Sequence, residues 1–379
     1  AMTDIAAIQD DGDYRQAVDA IWRDIVHTKL YLTGGIGATR HGESFGEAYQ
    51  LPNDTAYNET CAAIALANWA HRMFLLHGDS GYVDVLERIL YNGLLSGVSL
   101  DGKHFFYPNP LSSDGVTPFN QGSAGRQPWF GCACCPGNVT RFVASVPGMA
   151  YARRDHHLFV NLFVNGTARV QADGQQVEIS MQTEYPWRGG FMLKVKPEQN
   201  SVSLALNIRV PGWTRNQPVP GGLYRFADDA AEPLTVSVNG EYVEPAMKNG
   251  YARIDREWSA KDVVIVNFPL PVRRVLANDQ VEADRGRVAL QRGPIVYCLE
   301  QADNPALDIP RFVLDHQSPV HPAWMPDKLG GIMQLNIPST HGRSAATAIP
   351  YNVWANRGPN TMEVWLRSGV GPPDATHYQ

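Results

Sequence analysis

The spacing of apolar residues changes character once along this chain. Between Asp13 and Leu32 they fall at Val18, Ile21, Trp22 and Ile25, one stripe of a helix with 3.6 residues per turn. A second stripe carries Ile64, Leu66, Trp69, Met73 and Phe74, with Asn58 placed as its N-cap and Gly78-Asp79-Ser80 ending it. A third runs through Val83, Leu86, Ile89, Leu90 and Leu94. Pro136, suited to a first helical turn, opens a fourth with Val139, Phe142, Val143 and Val146. Near Arg154 the period drops to two. Leu158 to Val164 runs into Asn165-Gly166, a hairpin signal, and Val177 to Met181 alternates cleanly. Val236 to Gly240, Val263 to Phe268, Arg287 to Leu299 and Met362 to Leu366 continue the pattern. The reading is α+β and multidomain, with helices first and β-sandwiches after them.

Composition narrows the function classes. At 379 residues, 44% hydrophobic and 18% charged, the chain has room for two or three domains with cores of their own. A net charge of −6, without any run of Lys or Arg, argues against a nucleic-acid surface. No apolar stretch reaches the roughly 18 residues of a membrane helix. Ala1-Met2-Thr3 reads as a leftover residue before a start methionine, and no apolar signal core follows it. Five cysteines, clustered rather than spread, make no secreted disulfide framework and point to a reducing, cytoplasmic setting.

Three of those cysteines lie in Gly131-Cys132-Ala133-Cys134-Cys135-Pro136, and a fourth in Tyr57-Asn58-Glu59-Thr60-Cys61. A bridge between the adjacent Cys134 and Cys135 would close a strained ring, so a soft metal or nucleophilic chemistry explains the pair better. Glu59 and Cys61, two apart, face opposite sides of a regular helix and can share an ion only at a helix start. Cys134 and Cys135 likewise precede a helix, where the dipole favours thiolate. Together the four read as a zinc–thiolate centre, although Cys61 alone reads equally as a small core residue and Cys135 as a capping thiol. Cys132 could join them or face away, and Cys298 reads as core. Glu43, in the glycine-flanked run His41-Gly42-Glu43, is either a general acid/base or a solvated loop carboxylate. His41 and Tyr107 are candidate polar contacts to a ligand, or structural. The irregular segment from Thr33 to Asn53 is long for a connection between helices, which favours function.

The runs Tyr31-Leu32-Thr33-Gly34-Gly35-Ile36-Gly37, His41-Gly42-Glu43, Leu51-Pro52-Asn53, Glu59-Thr60-Cys61, Phe106 to Leu111 and Trp129 to Pro136 resemble the β-L-arabinofuranosidases of glycoside hydrolase family 127. Arg292 to Tyr297 and Trp354 to Pro359 extend the resemblance into the β region. It implies an (α/α)6 barrel, here partial and spanning 1–154, followed by two β-sandwich domains. The first would comprise 155–271 with 351–379 returning to it, the second 272–350. It implies Zn2+ held by residues matching Glu59, Cys61, Cys134 and Cys135. Cys134 would be the nucleophile of a retaining glycosidase, Glu43 its acid/base, and His41 and Tyr107 contacts to a β-L-arabinofuranoside. About four helices precede the strands, against the twelve of the family's barrel. The stripes at Val18/Ile21/Trp22/Ile25 and Val83/Leu86/Ile89/Leu90 are therefore expected to lie partly uncovered, at a contact with a second copy or with a partner chain that completes the barrel. Two rival readings are a non-catalytic carbohydrate-binding remnant or subunit with a structural zinc, and a thiol redox protein using Cys132, Cys134 and Cys135.

Overall fold

The computed structural model describes residues 1–229, 232–339 and 344–369. Helices α1 (Met2–Gln9), α2 (Gly12–Thr28), α3 (Thr60–His77), α4 (Ser80–Arg88) and α5 (Cys134–Ser145) make the N-terminal region. Their ends are set by short-range chemistry. Asp11 accepts from Asp13 N and Tyr14 N to cap α2, Asp79 accepts from Gly81 N to cap α4, and Gly78 closes α3 at φ 68°. Asn58 is not the cap expected for α3. That place belongs to Glu59, and Asn58 stands before it at φ 39°. Helix α1 has almost no amphipathic stripe, and so no periodicity announced it; Thr3 and Ala6 alone are its buried residues. On α2 the buried face is Val18, Trp22, Ile25 and Val26, while Ile21 is 44% exposed. Trp22 supplies the contact, with its ring 5.2 Å from Trp69 and 4.9 Å from Tyr82. No helix among the described residues is long and apolar enough to cross a membrane.

The third stripe is covered, contrary to expectation. Val83, Leu86 and Ile89 are at most 1% exposed, because α4 packs against α3 and docks its polar inner positions on the β region. Beyond Arg88 the helix widens into a π turn, Ile89–Leu94. That turn frees Asn92 to donate to Arg88 O and Pro294 O and to accept from Val296 N. Arg88 itself reaches Pro294 O and Pro218 O. Below it, Arg209 is wholly buried between Asp84 and Glu87, and Tyr185 and Trp213 also donate to Glu87. A buried charge triad of this kind fixes one docking geometry, since each partner left alone would be an unsolvated ion.

Two sheets build the sandwich that follows. One runs in the order 246–248, 251–259, 201–209, 157–160, 151–154; the other runs 241–242, 235–238, 263–267, 190–197, 175–183, 166–172. Strand alternation sends Leu158, Val160, Leu204, Leu206 and Trp258 from the first, and Val177, Ile179, Leu193, Val195, Val264 and Val266 from the second, into one core. A third sheet of eleven strands is centred on Arg287–Arg292 and Ile295–Glu300. The latter strand is buried on both faces. Val296 and Cys298 join the main core, while Ile295, Tyr297 and Leu299 join a separate one with Leu290, Leu335 and Ala348. The return of the last strands to the first sandwich is not what the chain does. Thr361–Glu363 pairs with Leu299 and Glu300, and Leu366–Ser368 pairs with Arg287 and Val288, so both belong to the third sheet. The rest of the expected return, 370–379, lies outside the described residues. Ser112–Asp114, from the helical region, pairs with Thr361–Glu363 and ties the two ends of the chain together.

Candidate active site and metal centre

Two helix starts meet. Glu59 and Cys61 occupy the N-cap and second position of α3, and Cys134 and Cys135 the first two positions of α5. Unpaired backbone N–H groups and the positive dipole ends therefore face the donor atoms. One ligand atom from each residue lies within 4.8 Å of all the others. Cys61 Sγ to Cys135 Sγ is 3.4 Å, Cys134 Sγ to Cys135 Sγ 3.7 Å, and Glu59 Oε1 stands 3.4 Å and 3.7 Å from those last two sulfurs. A tetrahedron with Zn–S bonds of about 2.3 Å has edges of about 3.8 Å, so the donor set has the size and the S3O chemistry of a closed zinc site. The sulfurs are free thiols, far beyond disulfide bonding distance.

Electrostatics agree. Burial, reinforced by Cys61 and Glu43, pushes the Glu59 carboxyl up to about 7. A hydrogen bond from Cys135 holds Cys61 down to about 5, while burial raises Cys134 to about 12. Cys135 rises further still, chiefly through its bond to Cys61. Four acidic groups share one small space, and without a cation they settle on few charges. A divalent ion taken up by such a set would displace protons from it.

The carboxyl of Glu43 is the neighbour of this cluster. Its loop closes on itself through Thr39 Oγ1 and Ser44 Oγ at 2.8 Å, and Glu43 holds φ 49°. A left-handed non-glycine residue costs about 1–2 kcal/mol and persists only where the surroundings impose it. Upstream, Gly34 at φ +82° lies where a Cβ would stand 2.9 Å from the Ile89 backbone, so the Thr33-Gly34-Gly35 turn can seat against the π turn only without side chains. Tyr57 Oη donates to Glu43 Oε1 at 3.0 Å. Tyr107 Oη lies 3.5 Å from the same oxygen and 3.1 Å from Cys134 Sγ. Thiol and carboxyl thus stand one phenol oxygen apart. Tyr107 is held from below by Phe130, ring to ring at 5.4 Å, and through its backbone by Asn120 and Thr60.

Of the residues singled out in the sequence, Glu59, Cys61, Cys134 and Cys135 come together, and Glu43 and Tyr107 line the same space. The His41 side chain is exposed and makes no hydrogen bond among the described residues. Cys132 is exposed and outside the donor set, and Cys298 is buried in the strand Ile295–Glu300. Tyr57 went unnoticed in the sequence, although it opens the very run that carries Glu59 and Cys61.

Comparison with known proteins places this geometry. Residues 1–148 match the family model "Beta-L-arabinofuranosidase, GH127 catalytic domain", 157–270 the middle domain and 272–367 the C-terminal domain of the same family. A non-reducing end beta-L-arabinofuranosidase of Bifidobacterium longum subsp. longum is 34% identical over 377 residues, covering 91% of this chain and 54% of its own length. A solved beta-arabinofuranosidase of the family superposes with a TM-score of 0.91 at 46% identity, over 97% of this chain and 58% of the other. A beta-L-arabinofuranosidase of Geobacillus stearothermophilus gives 0.87 at 38%, over 97% and 59%. The chain spans somewhat more than half the length of these relatives. In sequence, domain order and architecture, it belongs to glycoside hydrolase family 127.

Proposed function

We propose that this chain carries the catalytic constellation of a retaining β-L-arabinofuranosidase, in the later part of an (α/α)6 barrel and the β domains behind it. The observation that carries the reading is the Tyr107 hydroxyl, set between Cys134 Sγ and Glu43 Oε1 beside a set of four donor atoms within 4.8 Å of one another. Glu59, Cys61, Cys134 and Cys135 would hold Zn2+, which when bound keeps thiolate sulfur ionised at neutral pH. Cys134 Sγ attacks the anomeric carbon while Glu43 gives its proton to the departing glycosidic oxygen, leaving a thioglycosyl-enzyme. Glu43 then takes a proton from water as that water displaces the sulfur, and the sugar leaves with its configuration retained. Sulfur stands where most retaining enzymes place a second carboxylate. Tyr107, and His41 from the exposed loop, would contact the sugar.

The test pairs hydrolysis of an aryl β-L-arabinofuranoside with mass spectrometry of the trapped enzyme. Cys134→Ser should abolish turnover and the sugar adduct. Glu43→Gln should slow turnover by about 10²–10⁴-fold and keep its zinc. An adduct on Cys135, or loss of metal in the Glu43 variant, would overturn the assignment of roles.

A companion reading is that a second copy or another chain completes the catalytic wall. An apolar groove of about 450 Å³ among Leu94, Leu95, Val143, Val146 and Val164 is available to such a partner. Five unpaired cysteines support a reducing, cytoplasmic setting. Without a partner, the chain would retain its zinc as a structural centre and bind carbohydrate without cleaving it.

A further inference from the structure

A cavity of about 430 Å³ lies in the third sheet and shares no residue with the Cys134 site. Its size is that of a small-molecule pocket. The floor is one face of two paired strands. Arg274 and Leu276 are two apart on Val272–Ala277, and Arg225 stands opposite Leu276 on Tyr224–Phe226. Val288 and Leu314 form an apolar wall at the edge of the second core. The floor therefore pairs apolar surface with two guanidinium groups.

Those two cations have donors to spare. Arg274 donates from Nη2 to Ser318 O and Asp315 O, and its Nε is buried without a partner. A guanidinium that is half-desolvated with an unmade hydrogen bond carries a cost that an arriving acceptor removes. The Arg225 side chain makes no hydrogen bond or ion pair among the described residues, its backbone alone being held in the strand pair. By contrast Arg285 and Arg287, also on the lining, are held by Asp279 O and Trp365 O. Four carboxylates lie nearby, Asp279 on the lining, Asp315 beside Arg274, and Asp228 and Asp284. Asp228 is paired with Arg273 at 2.6 Å, and burial pushes Asp284 up to about 7.

We propose that this cavity binds a small organic anion, a carboxylate or phosphate monoester on a body of monosaccharide size, with the anionic group on Arg274 and Arg225 and the body against Leu276, Val288 and Leu314. Planar guanidinium forks match both kinds of oxyanion. This site is separate from hydrolysis and stands or falls without it.

The experiment is titration calorimetry on the intact, zinc-loaded chain with D-glucuronate, glucose 6-phosphate, inorganic phosphate and, as neutral control, glucose. One saturable site per chain at millimolar concentration is expected for at least one of the organic anions, and none for glucose. Glucuronate alone would identify a sugar acid; glucose 6-phosphate alone would identify a phosphate ester. Arg225→Gln, at an exposed position that leaves the fold intact, should weaken binding roughly tenfold, as should Arg274→Gln. No saturable binding of either organic anion, binding of inorganic phosphate alone, or binding that persists unweakened in Arg225→Gln, overturns the proposal.

Discussion

The Cys61 sulfur is one of four donor atoms that lie within 4.8 Å of one another, and its loss leaves Glu59, Cys134 and Cys135 as an incomplete set for the proposed ion. Cys61→Ala is expected to weaken zinc retention by more than about tenfold and to lower the thermal midpoint with it, because metal affinity is folding free energy here. Elemental analysis alongside calorimetry checks this; a variant with full zinc and an unchanged midpoint would remove Cys61 from the donor set. Asp284 offers a separate measurement. Its carboxyl is buried, accepts from Asn53 Nδ2 at 2.8 Å, and is raised from 3.8 to about 7 by desolvation. Between those two values the folded chain keeps a proton that the unfolded chain has released. Stability from this group is therefore full at low pH, falls as pH rises through that window, and levels off above about 7. Asp284→Asn should flatten that part of the stability profile, as read by denaturant midpoints across pH. An unchanged slope would show that the residue titrates normally.

Among the elements, α4 carries the most consequence. Its inner face meets the β region through Arg209, Asp84 and Glu87, and breaking a buried pair from one side costs about 3–5 kcal/mol. Arg209→Ala should lose about that much in equilibrium unfolding, against well under 1 kcal/mol for the exposed pair Arg188–Glu184. The same helix shows what was legible in the sequence. Its stripe, its cap at Asp79 and its stop at the π turn's far end all leave local patterns. The partners of its polar positions leave none, since Arg209 and Pro294 lie more than a hundred residues away. Helix α1 was invisible because two small residues bury what a stripe would otherwise announce. At the site, the cysteines and Glu59 were readable from helix-start spacing. Tyr57 was not, because a tyrosine before a helix has many ordinary reasons to be there. The placement of 361–368 rested on the family resemblance; alternation announces a strand there but not its partners, because strand order in a sheet is a long-range property.

At the scale of the whole molecule, several large apolar residues remain in solvent. Ile8 is 83% exposed, Trp129, just ahead of the cysteine cluster, 63%, and Val143 on α5 49%. Light scattering over a range of concentrations is expected to show self-association of the chain alone, with weak hydrolysis. Adding a polypeptide that supplies the remaining length of the relatives' catalytic region should restore turnover. A monodisperse and fully active monomer would refute that expectation. The pairing of Ser112–Asp114 with Thr361–Glu363 has a consequence of a different kind. The segment holding Tyr107 runs directly into that first strand, and Phe106 stacks on Trp354 at 4.9 Å. The C-terminal sheet is thus a buttress of the cleft, although it begins more than a hundred residues after the last cysteine of the centre. Trimming the chain after the middle domain would remove Trp354 and the strand Thr361–Glu363, and so loosen the tyrosine from behind.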